Sequence, residues 1–292
     1  MSDPALVDIS RRFAGMERLY GPGALQRLAA AHVAVAGIGG VGSWCAEALA
    51  RSGVGALSLI DLDHIAESNV NRQLHALTDT IGQAKVVAMA QRVRGINPDC
   101  KVRMIDDFVS ADNTGELFAD DVDVIIDGTD QAQAKIAMIL LARARKLPIV
   151  VCGGAGGKTD PLSLRAGDLS AAVNDALLSK LRNTLRRRHG YPKAADHAGK
   201  VRKRIPRMGV RALWFDQPAI LPALWLQAGR VDAADASARP ELGEIAAQAP
   251  EAASLQGLSC AGYGSAVAVT ASMGLAAANE AIHFLLNRKF SS

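Results

Sequence analysis

Short apolar runs alternate with longer amphipathic stretches along the first half of the chain, and the longer stretches have the 3.6-residue period of a helix. The predicted strands are Val33–Ile38, Ala56–Ile60, Lys101–Ile105, Val122–Ile126 and Pro148–Val151. The predicted helices are Val41–Ser52, Lys85–Ile96, Gln131–Lys146 and a closing helix over Gly264–Asn287. This order predicts an α/β fold with a Rossmann-like, doubly wound, mostly parallel sheet and a C-terminal extension of strands and helices.

The same pattern divides the chain into three predicted parts. Residues 1–30 are expected to form a helical arm at a dimer interface, residues 31–165 a nucleotide-binding core, and residues 166–292 a C-terminal part. The last part contains a basic insert at 180–211 and an Ala-rich segment at 229–254, which we expect to be mobile. A charge-free run at 252–279 consists mainly of Gly, Ala and Ser, so we expect a buried helix there and no membrane span.

The first predicted strand leads into a glycine-rich turn. Gly37, Gly39, Gly40 and Gly42 lie where the strand passes into the next helix, in the pattern G-x-G-x-x-G. Such glycines let the backbone approach a phosphate closely, and the N–H groups at the helix start point toward that anion. Asp61 ends the second strand, about 20 residues further on, where a carboxylate binds ribose hydroxyls. The pattern predicts nucleotide binding; glycines that serve only helix packing are the alternative.

More polar residues follow the strand ends, at the carboxyl edge of the predicted sheet, where ligands bind. They are Asp63, Asn69, Asn71, Arg72 and Gln73. Lys85 opens a helix, a position that disfavours cations, so we interpret it as functional. Asp127 and Asp130 end the fourth strand, and carboxylates beside a phosphate site are suited to Mg²⁺. Capping the next helix is the alternative role of Asp130.

Residues 152–161, CGGAGGKTDP, resemble a phosphate-binding P-loop but do not complete its pattern. Cys152 replaces the first glycine, and Pro161 stands where a long helix would have to begin. We therefore reject the P-loop and expect the glycines to let a loop pass beneath a bound ligand.

Positive charge is concentrated in one part of the chain. The formal net charge is only +4, but within 180–211 many cations face a single acid, Asp196. This imbalance predicts a flexible basic arm that binds a polyanion, with nucleic acid as the favoured partner and with His189 and Tyr191 able to stack on bases. A solvated loop is the alternative. The candidate RNA-binding residues are Arg186, Arg187, Arg188, Lys200, Arg202, Lys203, Arg204 and Arg207.

The four cysteines lie far apart and form no C-x-x-C pair. This spacing favours neither a disulfide framework nor a cysteine zinc site. The start of the sequence has no basic segment followed by an apolar core, which argues against a secretory signal. We therefore expect a protein of the reducing cytoplasm.

Several motifs together resemble the ubiquitin-activating-enzyme-like adenylating superfamily. They are GIGGVG at 37–42, LIDLD at 59–63, N-x-N-R-Q at 69–73, GQAK at 82–85 and DGTD at 127–130. The resemblance implies ATP as cosubstrate, Mg²⁺ on Asp130, phosphate contacts from Arg72 and Lys85, and Arg12 reaching in from the partner subunit of a homodimer. It also implies that a carboxylate is activated as its acyl-adenylate.

Within the superfamily, the arm RRFAGMERLYG, the GGAGG loop and the basic insert are most similar to one branch. That branch dehydrates threonylcarbamoyladenosine, a modified adenosine beside the anticodon of tRNA, to a cyclic form. The main rival is activation of a sulfur-carrier protein, although the zinc motifs common in those enzymes are missing. An NAD-dependent oxidoreductase and a scaffold for a sulfur-relay partner are further alternatives. Cys260 is the one candidate acceptor thiol, with a small buried residue as the alternative.

Overall fold

The computed structural model describes residues 8–194, 202–220 and 263–287. In these residues a seven-stranded sheet has the order β3-β2-β1-β4-β5-β7-β6. The strands are β1 His32–Ala36, β2 Ala56–Ile60, β3 Lys101–Ile105, β4 Val124–Asp127, β5 Ile149–Cys152, β6 Leu164–Asp168 and β7 Arg211–Phe215. The α-helices are α1 Ile9–Tyr20, α2 Ala24–Ala29, α3 Gly42–Arg51, α4 Lys85–Ile96, α5 Thr114–Leu117, α6 Ala132–Arg145, α7 Ala176–Arg188 and α8 Val267–Asn287.

The predicted doubly wound sheet is confirmed. β1 to β5 and β7 pair in parallel, and only β6 is antiparallel, to β7 at the edge of the sheet. The central strands are continuous apolar runs because helices cover both faces of the sheet, and each face has its own apolar cluster. The strand order runs outward in opposite directions from β1 and from β4, so the crevice at the carboxyl ends of these two parallel strands is the expected ligand-binding position.

Helix α8 is a core helix of this sheet. It packs against α3, and its Val269, Met273 and Ala277 are fully buried. A Cβ on Gly274 would lie 2.3 Å from the carbonyl oxygen of Val41, so the small residues in this helix permit close packing. Among the described helices, α8 alone is long and apolar enough to cross a membrane, and half of its most apolar stretch is buried in the protein.

The basic insert was wrongly predicted to be a flexible arm over its first part. Residues 176–188 form α7, in which Leu178, Leu181 and Leu185 pack into the core. The three leucines have helical spacing and give α7 an apolar face, although arginines are dense in the same stretch. The predicted boundary after residue 165 falls inside β6, and the sheet continues across it. Lys200, Cys260 and the segment 229–254 lie outside the described residues.

Candidate functional site

A cavity of about 600 Å³ opens at the carboxyl ends of β1, β2, β4 and β5. Most residues predicted for the site form its wall. From the predicted set, these are Gly37, Gly39, Gly40, Asp61, Asp63, Asn69, Arg72, Gln73, Lys85 and Asp130. Gly42, Asn71, Asp127 and Arg12 are not part of this wall.

The glycine turn allows the backbone after β1 to approach two neighbouring segments. Gly37 has a φ of 82°, and a Cβ there would lie 2.8 Å from the backbone of Gly128 and Thr129. A Cβ on Gly42 would lie only 1.9 Å from the carbonyl oxygen of Gly37. Gly42 therefore permits the tight shape of the turn without lining the cavity. The backbone of Gly37, Gly39 and Gly40 lines the cavity.

Asp61 connects the glycine turn to the lysine at the start of α4. Its Oδ2 accepts a hydrogen bond of 2.6 Å from the Ile38 N–H, and its Oδ1 accepts one of 2.9 Å from the Asp63 N–H. The Lys85 Nζ lies 2.6 Å from Asp63 Oδ2 and 3.8 Å from Asp61 Oδ1. Burial raises the pKa of Asp61, while the charge of Lys85 lowers it. The two acids thus balance the charge of a lysine that is only 5% exposed.

The polar segment after β2 supplies a second cation. The Arg72 guanidinium is half-buried and donates to the carbonyl of Ser68 at 2.7 Å and to Asn71 Oδ1 at 3.0 Å. Asn71 in turn donates to the carbonyl of Ser265, just before α8, at 2.7 Å. Asn71 therefore orients Arg72 and connects it to the end of the chain, instead of lining the cavity.

The two acids after β4 have different surroundings. Asp130 is exposed on the cavity wall. Asp127 is fully buried, and its Oδ1 lies 3.0 Å from the Nζ of Lys135, which is also fully buried. The same oxygen accepts hydrogen bonds from the N–H and hydroxyl of Thr129. Asp127 is thus placed to hold the Gly128–Asp130 turn and not to contact a metal, which corrects the predicted pairing of two carboxylates.

Lys135 ties this turn to the next strand. Its Nζ also donates to the carbonyl of Cys152 at 2.8 Å, so one ammonium group joins the carboxyl ends of β4 and β5. The predicted loop then follows, and Gly153, Gly154, Ala155 and Gly156 line the cavity. A Cβ on Gly153 would lie 2.1 Å from Asp175 Oδ2, which explains a glycine at this position.

Sequence reasoning missed several residues of the wall. Lys158, dismissed with the P-loop, is 4% exposed and lines the cavity together with Asn174 and Asp175 at the start of α7. Phe108, beyond the end of β3, is 56% exposed and lines the opposite end. Asp175 could have been predicted as the N-cap of α7, because it comes directly before the leucines at helical spacing. Phe108 is a lone aromatic residue in a loop, and nothing in the sequence around it indicates a binding site.

Arg12 lies on the outer surface of the molecule. Its guanidinium donates to the carbonyls of Ile96 at 2.6 Å and Gly95 at 3.4 Å, at the end of α4 of its own chain. A cation there stabilises the helix terminus. A contact of Arg12 with the partner subunit's site stays a prediction.

The basic insert lies at the opposite edge of the sheet from the cavity. Helix α7 begins at the cavity wall, so Arg186, Arg187 and Arg188 in its last turn lie about 15–18 Å from that wall along the helix axis. Tyr191 is buried, and the guanidinium carbon of Arg143 lies 5.0 Å from the centroid of its ring. The prediction that the Tyr191 ring stacks on bases is therefore wrong. Arg202, Lys203, Arg204 and Arg207 are exposed, and a contact of these cations with a polyanion stays a prediction.

Comparisons with known proteins agree with this geometry over nearly the whole chain. The ThiF family model matches residues 10–292. The tRNA threonylcarbamoyladenosine dehydratase of Escherichia coli (strain K12) is 40% identical over 273 residues, which cover 93% of this chain and 92% of that protein. The Haemophilus influenzae enzyme of the same name is 38% identical, with coverage of 96% and 95%. The solved structure of the E. coli enzyme with ATP has a TM-score of 0.75 at 36% identity, with coverage of 96% and 97%.

Proposed function

The chain belongs to the ThiF family, and we propose that it is an ATP-dependent dehydratase that cyclises threonylcarbamoyladenosine in tRNA. The observation that carries this proposal is the glycine-lined cavity with Arg72, Lys85 and Lys158 on its wall. Three cations suit a reaction between a polyphosphate and a carboxylate, because both reactants are anions. The similarity to the named dehydratases extends over more than nine-tenths of both chains.

We infer one orientation for ATP along the carboxyl edge of the sheet. The phosphates would lie on the turn at Gly37–Gly40, the ribose beside Asp61, and the adenine toward Phe108 at the end of β3. Solved structures of the similar E. coli enzyme hold ATP and AMP. An NAD-dependent reaction would leave Lys85 and Asp130 without a purpose.

The reaction begins when a carboxylate oxygen of the modified base attacks the α-phosphorus of ATP. The bond to the β-phosphate breaks and pyrophosphate leaves. Negative charge builds on the phosphate oxygens in this step, and Arg72 and Lys85 are positioned to stabilise it. The adenosine N6, which is the nitrogen on the other side of the carbamoyl carbon, then attacks the acyl carbon and closes a five-membered ring. N6 gives up its proton to solvent, and AMP leaves with the former carboxylate oxygen. The second step needs no protein nucleophile because the attacking group is already part of the substrate.

Mg²⁺ fits this site only together with the nucleotide. In the described part of the chain, no cluster of three or more metal-ligating side chains occurs. Asp130 alone would supply a carboxylate, and Mg²⁺ commonly binds through one or two carboxylates plus phosphate oxygens. When bound, the ion would neutralise phosphate charge.

We place the tRNA backbone on the basic insert and only the reacting base in the cavity. The distance of about 15–18 Å along α7 supports this division, because a single nucleotide cannot reach both regions. Activity on tRNA also implies the cytoplasm, as the cysteine spacing suggested.

We further propose a homodimer in which Arg12 acts at the partner subunit's site. Mixed chains test this idea: an Arg12→Ala chain combined with a separately inactive Lys85→Ala chain should regain partial activity. Failure to complement would leave Arg12 with only its contacts at the end of α4.

Activation of a sulfur-carrier protein remains the second candidate, and a sulfur-relay protein would then be the partner. Analysis of tRNA nucleosides by mass spectrometry decides between the two functions. Cells that lack this protein should accumulate the open threonylcarbamoyl nucleoside and lose its cyclic form. An unchanged nucleoside profile would refute the dehydratase function.

A further inference from the structure

Lys158 is a buried cation in the half of the cavity away from the glycine turn. It follows the Gly153–Gly157 loop and is 4% exposed. Its Nζ donates to two backbone carbonyls, that of Asn174 at 2.9 Å and that of Gln217. An ammonium group has three N–H donors, so one donor is left for a ligand.

The surroundings of Lys158 differ from those of the other buried lysines in the described residues. Lys85 pairs with Asp61 and Asp63, and Lys135 pairs with Asp127. None of the ion pairs among the described residues includes Lys158. A buried charge is costly unless an opposite charge compensates it.

Asp175 is the acid whose charge acts on Lys158, but its oxygens serve other groups. Oδ2 accepts from the Gly154 N–H at 2.8 Å, and Oδ1 caps α7 by accepting from the Leu178 N–H at 2.8 Å. Burial lowers the pKa of Lys158, and the charge of Asp175 raises it. Lys158 thus lies in a wall that favours an additional anion.

The position of Lys158 indicates which anion this is. The nucleotide occupies β3, β2 and the glycine turn after β1 in the proposed function. Lys158 lies beyond β4, on the loop after β5 and against the start of α7. The remaining anion of the reaction is the substrate carboxylate, which must approach the α-phosphate from the side that ATP leaves open.

We propose that Lys158 forms a carboxylate subsite that recognises the threonyl carboxylate of the modified adenosine. This inference rests on the proposed function and adds a residue that selects the modified base over plain adenosine. Asn174, a non-glycine residue with a φ of 55°, aims its carbonyl at the Nζ and so fixes the direction of the ammonium group.

The experiment compares the binding of two forms of one tRNA, with threonylcarbamoyladenosine or with unmodified adenosine at the same position. Full-length wild-type protein should prefer the modified tRNA by about 30-fold or more, since a buried charge pair contributes at least about 2 kcal/mol. Lys158→Gln keeps an amide that can donate to backbone carbonyls but removes the charge, and should bind both tRNAs equally. Lys158→Arg should retain most of the preference, and ATP affinity should be unchanged in both variants.

Gln217→Ala is the matched control for a merely structural role. Gln217 Oε1 accepts from the Thr159 and Asp160 N–H groups, so this variant loosens the same loop but keeps the backbone carbonyl of residue 217 that accepts from the ammonium group. It should keep the wild-type preference. An equal loss of preference in Gln217→Ala and Lys158→Gln would overturn the inference, because loop position alone would then explain it.

The remaining outcomes separate the inference from the proposed function. A preference that survives in Lys158→Gln overturns the inference alone. No preference in wild-type protein also overturns the inference, whereas the proposed function is judged separately by the tRNA nucleoside profile of cells that lack the protein. If Lys158→Gln does not fold, wild-type protein is tested with the free modified nucleoside and its carboxamide. Tighter binding of the carboxylate by about 30-fold supports the subsite, and equal binding overturns it.

Discussion

The buried pair of Asp127 and Lys135 makes a sharp prediction about stability. Both side chains are fully buried, and the Lys135 ammonium joins the end of β4 to the end of β5. Lys135→Met keeps the length of the side chain but leaves the Asp127 carboxylate without a counter-charge. Asp127 Oδ2 has no hydrogen-bond partner in the described part of the chain, even with the lysine in place. No neighbouring group there is therefore positioned to compensate the carboxylate charge once the lysine is removed.

Removing one member of a buried ion pair costs about 3–5 kcal/mol, because the other charge remains buried and uncompensated. For a chain of 292 residues this cost corresponds to a fall in the unfolding temperature of about 5–8 °C. Burial raises the pKa of Asp127, and Lys135 opposes that effect. Without Lys135, the buried Asp127 carboxyl would keep its proton in the folded protein at pH values where the same carboxyl of the unfolded chain has lost it. The variant should therefore lose further stability as pH rises above the ordinary carboxyl pKa.

Thermal unfolding followed by circular dichroism at pH 5 and pH 7 measures both effects. Lys101→Met, at an exposed position in β3, is the control and should change the unfolding temperature little. The double variant Asp127→Asn, Lys135→Met should recover part of the loss, since no buried charge remains. A cost below about 1 kcal/mol for Lys135→Met, or additive effects in the double variant, would refute the assigned role of the pair.

Asp130→Ala should fold normally but lose ATP–pyrophosphate exchange, because its carboxylate is exposed on the cavity wall; an active variant would show that water suffices. Gly42→Ala should weaken ATP binding more than tenfold, measured by calorimetry, because its Cβ would lie 1.9 Å from the Gly37 oxygen and must displace the turn. Neutralising three exposed cations together should weaken tRNA binding and flatten its salt dependence, by about 0.7–0.9 in log–log slope for each phosphate that the protein no longer neutralises, with ATP affinity unchanged. An unaltered slope in a filter-binding series would remove the RNA role from this segment. The three cations are Arg202, Lys203 and Arg204.

The parallel core was predictable because local signals and burial agree there. Ala56–Ile60, Lys85–Ile96 and Lys101–Ile105 begin and end at the predicted residues. Each strand is a short apolar run between turn residues, and α4 is preceded by a backbone turn and followed by Asn97-Pro98. The prediction for the first part of the basic insert was wrong because charge and burial disagree there. Its charge pattern suggested solvent, although three leucines at helical spacing fix α7 in the core.

The half of the site near the glycine turn was predictable because its residues follow strands in chain order. The other half depends on contacts between distant segments. Lys158 reaches carbonyls of residues 174 and 217, which are 16 and 59 positions away. Asp127 and Asp130 are three residues apart, but Lys135 pairs only with Asp127. This pairing depends on how α6 packs against β4 and β5, which places the Lys135 ammonium between Asp127 and the Cys152 carbonyl. Sequence spacing specifies neither contact.

The three buried lysines in or next to the site have different charge environments, which determine what each lysine can bind. Lys135 is permanently paired with Asp127, so it contributes shape and not charge to the cavity. Lys85 lies 2.6 Å from Asp63 and 3.8 Å from Asp61, so a phosphate that binds Lys85 would have to compete with the Asp63 carboxylate. Lys158 alone has no paired carboxylate among the described residues, so it can bind the substrate carboxylate without first breaking an ion pair. In the proposed function, the substrate carboxylate and the nucleotide would therefore bind to different lysines. We expect ATP and the modified tRNA to bind independently, which a calorimetric titration of the modified tRNA with and without a non-reacting ATP analogue measures; a large change in tRNA affinity would contradict this expectation.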